Sequence, residues 1–397
     1  MHASWSTFGW GKRLRGPERL ERRRESVQSL GGVAVWGLVA VLGGCRSETR
    51  VAVIGYAFPL WGTTTVQVAR DEIASWPPGA PVIRIVYDSS TQGDPPDVEV
   101  MRAQRLAQIP DLVGVVGHGG SRGSLAAAPI YAAAGIPQIV PTGTSRLLGQ
   151  AGPWTFVLPP NDSIEGALIG RFTAERLGAR RVALFFTNDE YGVGLRDGVV
   201  AELARRGIAV LSQVGVDPRS DIPTLVAATL RRDAPDAFIM AARTVETGRV
   251  ARAAYGRVPR LRVVAGDGAV DVPNLVALAG PAADSIYVVA FWLADPPDSM
   301  SRAFVERFHR ITGRDPGPDE AMNHDALMLL AHAARTAGPD RAALRRYLEA
   351  LGRSRPPYRG VTGDITFLPE RPTRLVMARL RGGRLERLGS PESINGP

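Results

Sequence analysis

The sequence predicts an α/β fold with two doubly wound lobes, and three observations carry that prediction. Short runs rich in Val, Ile and Phe alternate with longer amphipathic stretches, as in parallel strands joined by helices. The alternation starts again at Arg181, which indicates a second lobe. The chain has 397 residues, enough for two units that each bury a hydrophobic core.

The first lobe begins with four strand candidates bounded by turn residues. The predicted strands cover residues 51–56, 82–88, 112–117 and 138–141, and the predicted helices cover 97–108 and 124–134. Pro95 and Pro96 precede the first helix, whereas Ser124 caps the second and Gly135 ends it. Strand, helix and strand at this spacing predict a parallel sheet with right-handed crossovers.

The second lobe repeats the pattern. Its predicted strands are 181–187, 208–214, 237–241, 261–265 and 286–290, with helices at 191–206 and 221–232. Three further helices, at 298–311, 318–335 and 340–351, follow without strands between them and are expected to complete the first lobe. Two last strands, at 364–368 and 375–380, are expected to close the second lobe.

The first 45 residues have the pattern of a targeting segment. Arg22, Arg23 and Arg24 precede an apolar run at residues 31–44, which is shorter than the roughly 20 residues of a spanning helix. The run ends in Leu-Gly-Gly-Cys, which resembles the lipobox of bacterial lipoproteins, so we expect Cys45 to carry lipid and tether the protein to a membrane. The alternative is a lone buried cysteine after an ordinary membrane anchor.

Charge and cysteine content exclude several classes of function. The formal net charge is +9, but Lys12 is the only lysine and the arginines are scattered among acids, so no nucleic-acid-binding face is predicted. The single Cys45 excludes an intramolecular disulfide and a cysteine-based zinc site. The five histidines lack the spacing of metal ligands, and no structural metal is expected.

Three stretches resemble one protein family. They are LVGVVGHGGSRGSLAAAPIYAAAGIPQIVPTGTS at 112–145, RVALFFTNDEYGVGL at 181–195 and GVTGDITFL at 360–368. Together and in this order they are similar to the branched-chain amino-acid type of periplasmic solute-binding protein. The resemblance implies a type I binding-protein fold, an ABC-importer permease as partner, a monomer in the periplasm or at the cell surface, no cofactor and no catalysis.

The resemblance also implies how the chain divides. Residues 1–44 would be the lipoprotein signal peptide, 45–158 and 291–354 the first lobe, and 159–290 and 355–390 the second. Three crossing segments, near 158–163, 290–294 and 354–359, would join the lobes and absorb a hinge movement when a small ligand is bound in the cleft.

The loops at 118–123 and 142–145 are suited to an anion. In open α/β sheets ligands bind beyond the carboxyl ends of the strands, and these two loops follow predicted strands. Their glycines allow backbone N–H groups to approach a ligand, and the helix that follows presents its positive end. A ligand carboxylate is therefore expected there.

By resemblance, six residues contact an amino-acid-like ligand. Ser121, Thr142 and Thr144 would hold the α-carboxylate, Asp267 would pair with the α-ammonium, and Trp61 and Tyr191 would pack on the ligand. The sequence departs from the family pattern at Arg243 and Thr244, where many members have another aromatic residue, and it lacks the frequent first-lobe disulfide.

Each of these residues also has an ordinary structural interpretation. Ser121 and Thr144 are residue types that cap helices, and Asp267 between two glycines is typical of a turn. Trp61 and Tyr191 are the kind of aromatic residue that fills a core. His324 and His332 lie on one predicted helix face and are interpreted as packing residues.

Two other functions stay open at this point. Residues 119–123 form a G-x-S-x-G sequence after a strand, so Ser121 could serve a hydrolase with Asp267 and His309 or His324, although these histidines lie within predicted helices. A tethered sensor for a membrane signalling protein would share the binding-protein fold. Regulators of the Lac-repressor type are disfavoured, because a lipobox stands where their DNA-binding helices would be.

Overall fold

Two β-sheets organise the chain, and helices cover both faces of each. The computed structural model describes residues 50–58, 62–79, 81–88, 95–295, 298–369 and 375–389. The first sheet is fully parallel. In spatial order its strands are β2 (Val82–Tyr87), β1 (Val51–Ala57), β3 (Leu112–Gly117), β4 (Gln138–Val140) and β5 (Thr155–Val157).

Buried apolar clusters lie on the two faces of this sheet. One cluster joins it to α2 (Pro96–Ala107) and α3 (Ser121–Ala133), and the other joins it to α1 (Thr63–Ala74), α10 (Pro318–Ala337) and α11 (Arg341–Ala350). Because β3 is covered on both sides, all of its residues are buried and its sequence is a continuous apolar run. The expectation that the late helices complete the first lobe is confirmed.

The second sheet has seven described strands and confirms the restart at Arg181. In spatial order they are β14 (Arg384–Arg387), β13 (Val376–Arg381), β10 (Ile286–Ala290), β9 (Arg262–Ala265), β8 (Ala237–Ala241), β6 (Val182–Thr187) and β7 (Val210–Val216). The pairs β10–β13 and β13–β14 are antiparallel, and the other pairs of this sheet are parallel. The helices α4 (Asp162–Arg171) and α5 (Glu190–Arg205) share one core with the sheet, and α6 (Ile222–Asp233), α7 (Thr244–Tyr255) and α8 (Val272–Ala279) share the other.

The third crossing between the lobes is later than predicted. The strands β11 (Tyr358–Gly360) and β12 (Gly363–Ile365) pair with each other in a two-stranded sheet, and Ile365 and Phe367 pack in the core of the first lobe. The buried Asp325 carboxylate fixes the turn, since its oxygens accept N–H bonds from Val361 at 2.7 Å and Thr362 at 2.8 Å. The expected strand at 364–368 therefore does not close the second lobe, and the chain crosses after Phe367 instead of at 354–359. The strand expected at 375–380 is β13 and is confirmed.

The helix α3 begins three residues earlier than predicted. Ser121 is its first residue, and Gly120 before it has a φ of 91°, which favours glycine. Ser124 is not the cap: its hydroxyl lies within the helix and bonds to the backbone N and O of His118, each at 3.1 Å. The positive end of α3 therefore lies directly at Ser121.

The remaining long helix, α9 (Ser299–Thr312), packs its Phe304 and Phe308 against α1 and α10. Within the described ranges, no helix combines the length and the apolar character needed to cross a bilayer. The predicted signal segment, Cys45 and Trp61 all lie outside the described residues.

Candidate ligand-binding cleft

The loops at the carboxyl ends of the two sheets approach each other. On the first-lobe side these are the loops after β3 and β4, and on the second-lobe side those after β6, β8 and β9. Two contacts join the sides: the Asp162 N–H donates to the Thr144 carbonyl oxygen at 2.9 Å, and Arg122 Nε lies 2.9 Å from Glu190 Oε2. The carboxyl-end loops therefore form a cleft between the lobes.

Ser121 connects the two loops of the first-lobe side. Its side-chain oxygen accepts N–H bonds from Thr144 at 3.1 Å and Ser145 at 3.0 Å, and the residue is 2% exposed. These two N–H groups are thus already engaged in the fold. A ligand carboxylate would have to use the first turn of α3 and the hydroxyl hydrogen of Ser121.

Thr144 and Thr142 lie in the same loop with different surroundings. Thr144 is buried and its hydroxyl oxygen forms no well-aligned hydrogen bond with the described residues, whereas Thr142 is half-buried. The Thr144 hydroxyl nevertheless lies near enough to Asp162 to oppose the rise in that carboxyl's pKa. It therefore faces an acid from the second-lobe side.

Tyr191 and Asp267 come together on the second-lobe side. The Tyr191 hydroxyl accepts the N–H of Gly268 at 2.9 Å, and the Asp267 N–H donates to Glu165 Oε1 at 2.7 Å. Asp267 is 6% exposed, and its Oδ1 atom has no hydrogen-bond partner in the described structure. Tyr191 therefore supports the loop that presents a buried carboxyl oxygen.

Two further acids, Asp162 and Glu165 on α4, lie behind Asp267. Both are fully buried, and three of their four carboxyl oxygens have no partner among the described residues. Burial raises the pKa of Asp162 to about 7, and the nearby Asp267 charge acts in the same direction. Burial also raises the pKa of Glu165 well above its usual range, again with Asp267 adding to the effect. The second-lobe side is therefore acidic and short of counter-charge.

Close packing of α4 on α5 holds this acidic group. A Cβ on Gly194 of α5 would overlap the Asp162 carboxylate, so a larger residue at that position would require the carboxylate to move. Sequence reasoning missed Asp162 and Glu165, because an acid near a helix start looks like a cap, and here Asn161 is the cap that accepts the N–H of Ser163 at 3.0 Å. Their burial depends on α5, which no local pattern reveals.

Arg243 and Thr244, where the sequence departs from the family pattern, have specific partners in the structure. Arg243 Nη1 lies 2.6 Å from Asp189 Oδ2, and the guanidinium carbon is 5.3 Å from the centre of the Tyr191 ring. Thr244 begins α7, and its hydroxyl donates to the Gly268 carbonyl at 3.3 Å. An arginine held by an acid thus lies against Tyr191, on the side where the resemblance implied another aromatic residue.

The arrangement of the histidines argues against the hydrolase alternative. His118 is buried, with Nδ1 2.5 Å from Glu99 Oε2 and Nε2 2.8 Å from the Tyr131 hydroxyl. His309 pairs with Asp315 and His324 with Glu72, so neither of the histidines considered for a triad reaches Ser121. The Ser121 oxygen is instead held by backbone N–H groups. The interpretation of His324 as a packing residue agrees with its burial beside Phe304.

A separate groove lies away from these loops. Its volume is about 890 Å³, and it runs along the edge strand β2, where Trp76, Tyr87 and Arg335 line it. None of the described site residues lines this groove, and the convergent polar groups are in the cleft, which is therefore the better candidate for a ligand site.

The fold and the cleft together define a class: two α/β lobes that present facing loops to a small molecule, as in binding proteins of type I. The chain belongs to the periplasmic binding protein family, whose sequence model matches residues 62–385. The recognised family and the predicted fold class are thus confirmed.

Similar proteins give the same result. Leu/Ile/Val-binding protein homolog 1 of Brucella suis is 24% identical over 255 residues, which are 64% of this chain and 67% of the relative. LivJ of Streptococcus pneumoniae, a branched-chain amino acid transporter substrate-binding protein solved with isoleucine, superposes with a TM-score of 0.75 at 21% identity, covering 85% of this chain and 98% of LivJ. An ABC-transporter solute-binding protein of Rhodopseudomonas palustris solved with benzoate gives a TM-score of 0.74 at 17% identity, covering 85% and 96%. The two solved structures show the shared fold, and both are solute-binding proteins of transporters.

Proposed function

We propose that this protein is the lipid-anchored, extracytoplasmic ligand-binding component of an ABC importer and that it closes its lobes on a small amino-acid-like ligand. The observation that carries the proposal is the buried, unpartnered Oδ1 atom of Asp267 opposite the loops of Ser121 and Thr144. A buried charged oxygen without a partner is costly unless a ligand group completes it. An α-ammonium is such a group.

Each site residue then has a role. The first turn of α3 with Ser121, Thr142 and Thr144 binds the ligand carboxylate, and Asp267 binds the ammonium. Tyr191 positions the Asp267 loop and, with Trp61, borders the apolar part of the ligand. The names of the relatives support amino acids as the ligand class, while the benzoate complex shows that the fold also accepts a carboxylate without an amine.

A thermal panel tests the ligand class. Amino acids are compared with analogues of the same shape that lack the amine, at ligand concentrations near a hundred times Kd, where binding adds about 2.7 kcal/mol of stability. We expect amino acids to raise the melting temperature and their amine-free analogues to leave it unchanged. If only amine-free carboxylates raise it, Asp267 is a turn residue and the ligand class is wrong.

Hinge closure is tested by solution scattering. The crossing segments at 158–163, at 290–294 and after Phe367 should absorb the movement, so a ligand identified in the panel should reduce the radius of gyration. An unchanged radius at saturation would contradict the closing mechanism.

The anchor is tested at Cys45. In a bacterial host that processes lipoproteins, Cys45→Ser should move the protein from the membrane fraction to the soluble fraction without changing its melting temperature. Ser→Ala at Ser47, a neighbouring position outside the lipobox, is the matched control. Equal membrane retention of all forms would exclude lipidation as the anchor.

A further inference from the structure

The first turn of α10 faces the loop of Asp267. Asp319 and Met322 are three positions apart and therefore share one face of the helix. Met322 belongs to the buried apolar cluster that also contains Tyr191, and Tyr191 holds the loop of Asp267 through the N–H of Gly268. Asp319 thus lies on the face of a first-lobe helix that is directed at the acidic side of the cleft.

The helix does not need Asp319 as its cap. Glu320 has that task, because its Oε2 atom accepts the N–H of Gly317 at 2.5 Å and also lies 3.0 Å from Arg314 Nη1. Asp319 is half-buried and forms no ion pair with any residue that the structure describes. An acid at a helix start is ordinary, but one without a partner that faces a second acid calls for a counter-charge.

Other buried polar atoms around this point also have no partner. The Tyr56 hydroxyl and Asn323 Oδ1 are fully buried, and like Asp267 Oδ1 they have no hydrogen-bond partner among the described residues. Asn323 follows Asp319 by one helical turn, and its amide nitrogen donates to the Asp319 carbonyl. The pKa of the Tyr56 hydroxyl is raised by burial, then by the charge of Glu320, and then by the charge of Asp319. Asp319 is therefore close enough to Tyr56 to act on it. Two buried polar oxygens, those of Tyr56 and Asn323, therefore lie near Asp319.

The nearby cations are already paired with other acids. Arg243 pairs with Asp189, Arg314 with Glu320, and Arg122 with Glu190. Burial, followed by the charge of Asp267, raises the pKa of Asp319 to about 8, as expected of two neighbouring carboxyl groups. The charge of Arg243 also acts on Asp267, where it opposes the rise in the carboxyl's pKa that burial causes. Among the described residues, these arginines form their ion pairs with other acids, and neither Asp267 nor Asp319 has an ion pair of its own.

We propose that Asp319 is the second acid of the ligand site and that the ligand carries a net positive charge, with one of its cationic groups bound between Asp267 and Asp319. This inference rests on the proposed function and narrows its ligand class from zwitterionic amino acids to ligands such as basic amino acids or amino-acid amides. The weaker provision for a carboxylate agrees with it, because the N–H groups of Thr144 and Ser145 are engaged by Ser121.

Titration calorimetry with three probes tests the inference on the full mature protein. L-norleucine is the zwitterion, L-lysine adds a terminal ammonium to nearly the same shape, and L-norleucinamide removes the carboxylate charge. We expect both cationic probes to bind at least about tenfold more tightly than L-norleucine. Asp319→Asn should abolish this preference and leave the affinity for L-norleucine nearly unchanged.

Two control variants test whether the effect comes from the charge of Asp319. Asp315→Asn, at an exposed acid just before α10, should keep the preference. Asp319→Glu retains the charge and should also keep the preference for the cationic probes. This variant separates the effect of the charge from any loss of folding in Asp319→Asn.

The outcomes separate this inference from the proposed function. If L-norleucine binds as tightly as the cationic probes, or if Asp319→Asn keeps the preference, the inference is wrong while an Asp267-dependent amino-acid site still stands. If none of the three probes binds, both are wrong.

Discussion

The two sides of the cleft differ in how completely the protein satisfies its own polar groups. On the first-lobe side, the Ser121 oxygen accepts two backbone N–H bonds and the loop is neutral. On the second-lobe side, Asp162, Glu165 and Asp267 are buried with carboxyl oxygens that have no described partner. The first-lobe loops thus hold each other through hydrogen bonds, with the Thr144 hydroxyl left without a well-aligned partner among the described residues, whereas the buried acids of the second-lobe side require protons or a cation. Specificity is therefore expected to reside mainly in the acids.

Removing the charge of Asp267 should give the largest effect. Asp267→Asn leaves the ligand ammonium without its charge partner, which costs about 2 to 5 kcal/mol of binding free energy. Calorimetry with an ammonium ligand measures the loss, and Asp315→Asn is the control for an unrelated acid. An unchanged affinity in Asp267→Asn would place the acidic side outside the site.

The pH dependence of stability tests whether burial raises the pKa of Asp162. Its pKa of about 7 in the folded protein exceeds the value of about 4 in an unfolded chain, so the folded state holds a proton that the unfolded state releases. The free energy of unfolding should therefore fall as pH rises from about 4 to about 7, on the order of 3 kcal/mol from this group.

Asp162→Asn should remove that part of the fall. Glu165, Asp267 and Asp319 are shifted in the same direction and continue to contribute in the variant, so the difference between the two curves reports Asp162 together with its coupling to the neighbouring acids. Urea unfolding at several pH values measures it. Parallel curves for the variant and the natural protein would contradict the assigned shift.

On the first-lobe side, a substitution should have a smaller effect, and this effect should be on the free energy of unfolding. Ser121→Ala leaves two buried backbone N–H groups without their acceptor, which costs about 1 to 3 kcal/mol of the free energy of unfolding. Denaturant unfolding measures it, with the half-buried Thr142→Ala, in the loop that Ser121 contacts, as the control. Equal stability of the two variants would show that the Ser121 bonds do not hold the loops.

The smallest effect should come from the ion pair across the cleft. Arg122 and Glu190 lie 2.9 Å apart, but their side chains are 39% and 36% exposed, so their coupling should be at most about 1 kcal/mol and should weaken in salt. A double-mutant cycle with Arg122→Gln and Glu190→Gln measures the coupling in ligand affinity. A larger, salt-independent coupling would make this pair a latch of the bound state.

Periodicity predicts most of the fold because buried parallel strands are continuous apolar runs. The prediction missed several elements, among them the helices α4, α7 and α8. Two of the missed elements have weak local signals: β5 has three residues, and α1 begins with three threonines of low helix propensity. The wrong assignment at 364–368 has a different cause. Strand β12 is placed by Asp325, almost forty residues earlier in the chain, and this contact leaves no local trace.

The candidate site, like the fold, could be predicted from the sequence only in part. The loops after β3, β4 and β9 could be identified from sequence, because ligand sites lie at strand carboxyl ends and glycines mark close approach. The acids around Asp267 could not, since Asp162, Glu165 and Asp319 all occur near helix starts, where acids are common. Only their burial and lack of partners distinguish them from helix-stabilising residues.

The helix α10 carries a cleft-facing acid at one end and is buried along nearly its whole length. With 20 residues it extends about 30 Å, from the cleft through the core of the first lobe. Loop-borne residues such as Asp267 can be exchanged by grafting a short segment, but Asp319 cannot be moved without shifting core residues such as Leu327 and Leu330. Ligand preference in descendants of this protein should thus diverge by point substitution on α10 and by insertion or deletion in the opposing loops.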